Sequence, residues 1–459
     1  MPDAVTRRGF LKGALGAGVG AAALTVARSI GPAGEALAAP PPGGLSRAPG
    51  APVAYQRFVT RPDLRPPGVW VDTTAAAVAP GQPAYIFATV NADLGPYPAG
   101  AQTGLMIFDR HGFLVFFRPL SGANTAFNFR VQPHPYKGQP VLGWFQGTLG
   151  AGYSTAGSYQ LADASYTTIA TVGEGNTGVP CDLHEFLLTD QGTALRTGYK
   201  ASGNLLAGHA FDVDIPTGEP VFHWWSTMPR YGVPPADSYV PGADYFHINS
   251  IDLWPEPARN LLVSARNTSC VYLIERATGR IAWRAGGKAS WAVMGPGCRY
   301  EYQHDARALP DGSGFSVFDD ASQPGPEKQA WAKTIHLDLA AHPRPVATLV
   351  QQLDHYTDPV DVPFTGNNQL LASGDRFVGW GAQPFFSQYT AGGEMILDGR
   401  FPAGVGSYRT FTADWTARPR QDELAFVVRR GSRPGTFTGY ASWNGATDVA
   451  YWRVWGGPA

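Results

Sequence analysis

Three histidine motifs return along this chain at nearly one interval: Asp182-Leu183-His184-Glu185-Phe186, Tyr245-Phe246-His247-Ile248-Asn249-Ser250 and Gln303-His304-Asp305-Ala306. The steps are 63 and 57 residues, and similar steps outward reach Asn128 and Asn367, each in a strand-like run. A repeat of that length is the span of a propeller blade. The residues that mark it are then expected to converge on one central axis.

Between the motifs lies a second repeat, an alternating apolar strand, a polar turn and a second strand. It occurs six times, beginning at Ile107, Tyr159, Phe211, Tyr272, Ile335 and Tyr389. The turns are 52 to 63 residues apart, somewhat more than a bare four-stranded blade needs, so a long loop per blade is expected. With 56 glycines and 40 prolines punctuating aromatic and β-branched runs, strands are favoured over helices. The expected fold is all-β: a six-bladed β-propeller over residues 58–405, with a small C-terminal antiparallel β module over 406–459. That module is read from Glu423-Leu424-Ala425-Phe426-Val427-Val428, Gly439 to Trp443, the turn Asn444-Gly445 and a further strand from Val449 to Val454.

Ahead of the propeller, Thr6-Arg7-Arg8-Gly9-Phe10-Leu11-Lys12 precedes a Gly/Ala-rich apolar stretch, and Ala36-Leu37-Ala38 supplies a small-x-small cleavage pattern. Residues 1–38 are therefore expected to be a twin-arginine export signal and 39–57 a proline-rich linker. The mature chain would be extracellular, periplasmic or held at the cell surface. Net charge is −1 with 15% charged residues, which gives no electrostatic footprint for nucleic acid or an anionic membrane. In an exported chain the three cysteines, Cys181, Cys270 and Cys298, are expected to form one disulfide and leave one thiol.

At the motif residues the chain resembles the arylsulfotransferase family, the PAPS-independent aryl-sulfate sulfotransferases, in its actinobacterial and fungal-like branch. The likeness runs from about Phe58 to Phe401. It rests on His247-Ile248-Asn249-Ser250-Ile251, the strand Val263-Ser264-Ala265 leading to Arg266, and Gln303-His304, with support from Trp144-Phe145-Gln146-Gly147, the His184 motif and Trp380-Gly381. The resemblance implies a sulfuryl group passed from an aryl sulfate to a phenol, with His304 as the residue that becomes sulfated. His184, His247, Asn249 and Arg266 would surround the group in transfer. No cofactor and no metal ion is implied.

The residue types suit that chemistry. A neutral imidazole is a good nucleophile near pH 7, and a guanidinium matches sulfate oxygens with a planar fork of donors. One of His184 and His247 would protonate the departing phenolate. Tyr245, Phe246, Trp380 and Phe385 are candidate walls for the aromatic part of the substrate. Two other functions use the same residues: a non-catalytic or differently catalytic exported propeller binding a small aromatic or anionic ligand, and a metal enzyme with the three histidines as ligands. Arg266 beside the histidines speaks against the metal.

Overall fold

Each of the six hairpins forms the third and fourth strands, counted from the axis, of an antiparallel sheet, and six such sheets close into a β-propeller. The computed structural model describes residues 45, 52–92, 96–120, 125–150, 152–255, 257–322, 329–356 and 360–455. The expected export signal lies outside the described residues. So does most of the proline-rich linker.

The turns explain why these segments fold back. In the third blade Asp214 accepts hydrogen bonds from the Thr217 amide (3.0 Å) and hydroxyl (2.6 Å), and Gly218 comes next at φ 72°. Glu275, Thr278 and Gly279 repeat the device one blade later, with φ 73° at the glycine. A side chain with a Cβ would be strained at either glycine.

The inner strands of blades 2 to 6 are Thr125–Val131, Cys181–Leu188, Ile248–Leu253, His304–Ala308 and Asn367–Leu370. The first blade takes its inner strand from the far end of the chain, where Thr410–Ala413 pairs with Tyr85–Val90. Near the start of the described chain, Trp70–Thr73 pairs with Met395–Arg400 and becomes the outermost strand of the sixth blade. The ring is thus closed at two sheets. This places the expected boundary at 405/406 inside the propeller, because the blade set needs residues 410–413.

Beyond the closing strand lies a two-stranded antiparallel sheet, Leu424–Arg430 with Phe437–Trp443. The expected strand from Val449 to Val454 is absent, since that stretch has no pairing partner among the described residues. Asn444 instead closes a two-way bond with Phe117 at the edge of the first blade, donating to its carbonyl (3.0 Å) and accepting its amide (3.0 Å). Asn444 therefore satisfies backbone groups that the outermost strand would leave open.

The disulfide expectation is also corrected. All three cysteines are free and buried, and they lie in three separate hydrophobic clusters between blades. Each behaves as a small apolar side chain, and burial pushes the Cys181 thiol up to about 11.

Candidate active site

Local irregularities in the inner strands turn the motif residues toward the axis. Register shifts fall between Phe127 and Arg130, between Ile248 and Ser250, and between His304 and Arg307. Asn128, His247 and Asp305, at or beside these bulges, adopt φ values of 59°, 54° and 53°. In the third blade the stretch Asp182 to Glu185 bulges between paired Cys181 and Phe186. Bulges of this kind re-aim side chains that a regular strand would send to alternate faces.

His184, His247 and His304, from three consecutive blades, consequently line one cavity of about 390 Å³. The rings of His184 and His247 meet edge to face, 5.1 Å between centroids. Tyr408 stands beside His184 (5.7 Å) and His304 (6.2 Å). Arg266 also lines the cavity, with its guanidinium 4.3 Å above the Tyr302 ring. It is braced by donation to Asn267 Oδ1 (2.9 Å) and the Pro363 carbonyl (3.1 Å).

Every one of the three imidazoles meets a carboxyl group at Nδ1. Asp182 Oδ1 bonds to His184, Asp244 Oδ2 lies 2.5 Å from His247, and Asp320 Oδ2 lies 2.8 Å from His304. The third contact is close but misaligned, so it is an electrostatic approach rather than a formed hydrogen bond. In each ring Nε2 is the nitrogen without a carboxyl contact.

Burial governs the charges here. His304 is held well below the usual histidine range by desolvation, with Arg266 and the other two histidines adding to it. Burial likewise lowers His247, against the opposing pull of Asp244. Asp320 is raised well above the carboxylate range by burial, which Arg266 only partly offsets. Burial also pushes Asp182 up, yet the facing His184 and the amides of Ser154 and His184 outweigh it and keep that carboxylate low.

Asn249 and the four expected aromatic walls are elsewhere. Asn249 is buried between blades, donating from Nδ2 to the Gln303 carbonyl (2.7 Å) and accepting Arg409 at its own carbonyl (2.8 Å). It anchors the residue before His304 rather than facing the cavity. Tyr245 and Phe246 belong to the core between the third and fourth blades, and Trp380 and Phe385 pack between the fifth and sixth. Their bulk is needed to fill the wedge between twisted sheets. The apolar walls are instead Phe127, Leu149, Leu183 and Phe364, together with Tyr408.

Beneath the cavity the axis is closed by ions. Arg409, fully buried, contacts Glu185 (3.2 Å) and Asp305 (3.3 Å), and Arg307 bonds to the same two acids at 2.5 and 2.6 Å. Arg130 adds a third positive side chain within electrostatic reach of both acids. Of these only Glu185 and Asp305 fall inside the sequence motifs, and neither was assigned a role there.

The spacing of residues 182–184 and 244–247 holds a legible signal, an acid two or three positions ahead of each histidine. No such signal exists for Asp320 or Tyr408. Asp320 reaches His304 from the far end of the neighbouring strand, and Tyr408 arrives with the strand that closes the ring.

The fold and the site define a propeller whose axial cavity gathers three imidazoles and a guanidinium. Residues 132–402 match the arylsulfotransferase (ASST) family, and the chain belongs to it. Membership gives aryl sulfotransfer as the broad activity, with small aryl sulfates and phenols as substrates. No curated protein matches the chain.

Among solved structures it is similar to a protein of unknown function from Bacteroides caccae, with 11% identity over 72% of this chain and 98% of that one, TM-score 0.44. TolB from Acinetobacter baumannii gives 11% identity over 72% and 67%, TM-score 0.42. The periplasmic gluconolactonase PpgL of Pseudomonas aeruginosa gives 13% over 79% and 97%, TM-score 0.36. Likenesses of this degree add nothing to the reading of the site.

If Arg266 clamps sulfuryl oxygens, Arg266→Lys removes the planar fork and the stacking on Tyr302 while keeping the charge. Turnover of an aryl sulfate should fall by about one to three decades, the scale of losing an oxyanion donor. A folded variant with wild-type turnover removes Arg266 from the chemistry.

Proposed function

We propose that this protein is an exported aryl-sulfate sulfotransferase of the actinobacterial and fungal-like branch, independent of PAPS, which works through a sulfated His304. The observation that carries the reading is the set of three imidazoles, each with a carboxyl group against Nδ1, that lines one mainly apolar cavity together with Arg266. A neutral ring keeps a lone pair for attack, and His304 is the ring on which burial and neighbouring cations act most strongly.

In the first displacement Nε2 of His304 attacks sulfur and the bond from sulfur to the aryl oxygen breaks. The departing phenolate keeps the electron pair and takes a proton. Arg266 offsets the charge spread over the sulfuryl oxygens. As the ring of His304 becomes positive, its Nδ1 lies 2.8 Å from Asp320 Oδ2, an oxygen that offsets the developing charge as an acceptor with no change in the protonation of Asp320. In the second displacement the acceptor phenol gives up its proton to the imidazole that supplied one in the first, as its oxygen attacks sulfur. The nitrogen–sulfur bond breaks and the pair returns to Nε2.

The proton is best assigned to His184. Its partner Asp182 stays ionised, and a carboxylate on Nδ1 stabilises a ring as it takes up positive charge. His247 is disfavoured in its charged form by burial and by Arg266. The mainly apolar walls suit an aromatic ring on either substrate.

Purified protein should turn over 4-nitrophenyl sulfate with an added phenol and no PAPS, giving parallel lines in double-reciprocal plots. Intersecting lines would replace the two-step route with direct transfer. The histidine-ligated metal alternative is decided in the same preparation, where stoichiometric copper or zinc by inductively coupled mass spectrometry would favour it.

A further inference from the structure

The C-terminal hairpin leaves one face uncovered. Its register pairs Leu424 with Trp443, Phe426 with Ala441, Val428 with Gly439 and Arg430 with Phe437, so all of these lie on one side. On that side Leu424, Phe426, Val428 and Phe437 are 44%, 45%, 48% and 37% exposed. The Phe426 ring lies over Gly439, where an added Cβ would approach it to 3.0 Å. Four neighbouring large apolar side chains form a patch of the kind that marks a contact surface.

Charge accumulates beside this patch. From Arg418 to Arg453 the chain has six arginines and three acids. Each acid is engaged by a different arginine: Asp422 by Arg420, Asp448 by Arg418 and Glu423 by Arg61. Arg429, Arg430, Arg433 and Arg453 are left without a carboxylate partner among the described residues. The first three gather at the turn end of the hairpin, and the exposed Tyr451 and Trp455 come after it. The whole-chain balance of −1 conceals this local excess, which is why composition gave no hint of it.

We propose that the hairpin docks the protein onto an anionic lipid surface, with the apolar face in the headgroup region and the arginine end against phosphates. An apolar strip with aromatic rings, edged by unpaired arginines, has the two components that interfacial attachment requires. Guanidinium forks match phosphate oxygens. The surface is independent of the active site, which opens on the propeller axis.

The test is sedimentation of the full mature protein with vesicles of phosphatidylcholine alone and of phosphatidylcholine with phosphatidylglycerol. Binding is expected only to the second kind and should weaken as salt is raised. Phe426→Ser with Phe437→Ser should abolish it. Arg429→Glu with Arg430→Glu and Arg433→Glu should weaken it by roughly a hundredfold or more. Thermal melting and aryl sulfate turnover should be unchanged in both variants, which shows that they are folded. Failure to bind the anionic vesicles, equal binding to both kinds, or unaltered binding by the variants overturns the proposal. So does a dimer, seen by light scattering without lipid, that the phenylalanine variant dissolves, because the face would then belong to a second copy of the chain.

Discussion

After brief incubation with an aryl sulfate, the intact mass of the protein is expected to rise by one sulfuryl group, and His304→Ala is expected to abolish both this adduct and turnover. In the proposed route the variant loses the ring whose Nε2 attacks sulfur, and no other group takes over a step in which one atom must be both nucleophile and leaving group. The neighbouring imidazoles are close, yet each has its own duty: His184 faces the ionised Asp182 and His247 faces Asp244. His184→Ala should slow transfer but still trap a sulfated protein, since a phenolate such as 4-nitrophenolate leaves without a proton. Peptide mapping decides the assignment. An adduct on His184 or His247, or one that survives in His304→Ala, sinks it while leaving the cavity and the family membership untouched.

Arg409→Met is expected to cost the fold about 3–5 kcal/mol, because it removes a cation that pairs with two buried acids. In the wild type Glu185 and Asp305 share two guanidinium groups, and Glu185, Asp305 and Arg409 are all beyond the reach of bulk water. Without Arg409 the two acids keep their ion pairs with Arg307 and the more distant charge of Arg130. The Asn128 side-chain oxygen and the Asn249 backbone carbonyl also lose a donor. A melting temperature lower by several degrees should be accompanied by reduced turnover, since Asn249 holds the Gln303 carbonyl next to His304. A variant that melts within about a degree of the wild type would show that the axial ions add little to stability.

The sequence alone determined the architecture. Hairpins are local structures whose strands alternate with period two and whose turns need glycine, aspartate or threonine at fixed offsets, so six of them could be counted along the chain. Their even spacing, with a histidine motif between them, was enough to place His184, His247 and His304 on, or at the entrance of, the inner strands of neighbouring blades. Such regularity survives in one dimension because the four strands from the axis outward are consecutive in blades 2 to 6, and only the first blade borrows its inner strand from the far end of the chain.

The tertiary structure alone decided the rest. Which aromatic residues wall the cavity depends on how twisted sheets wedge together: Tyr245, Phe246, Trp380 and Phe385 went to the interblade core, and Phe127, Phe364 and Tyr408 to the cavity. Asp320 meets His304 across a strand pair, and Thr410–Ala413 meets Tyr85–Val90 across most of the chain. Those contacts have no period and no local composition to betray them. They form because a closed ring must pair its first sheet with its last strand, and because a charge taken to the axis must find an opposite one there.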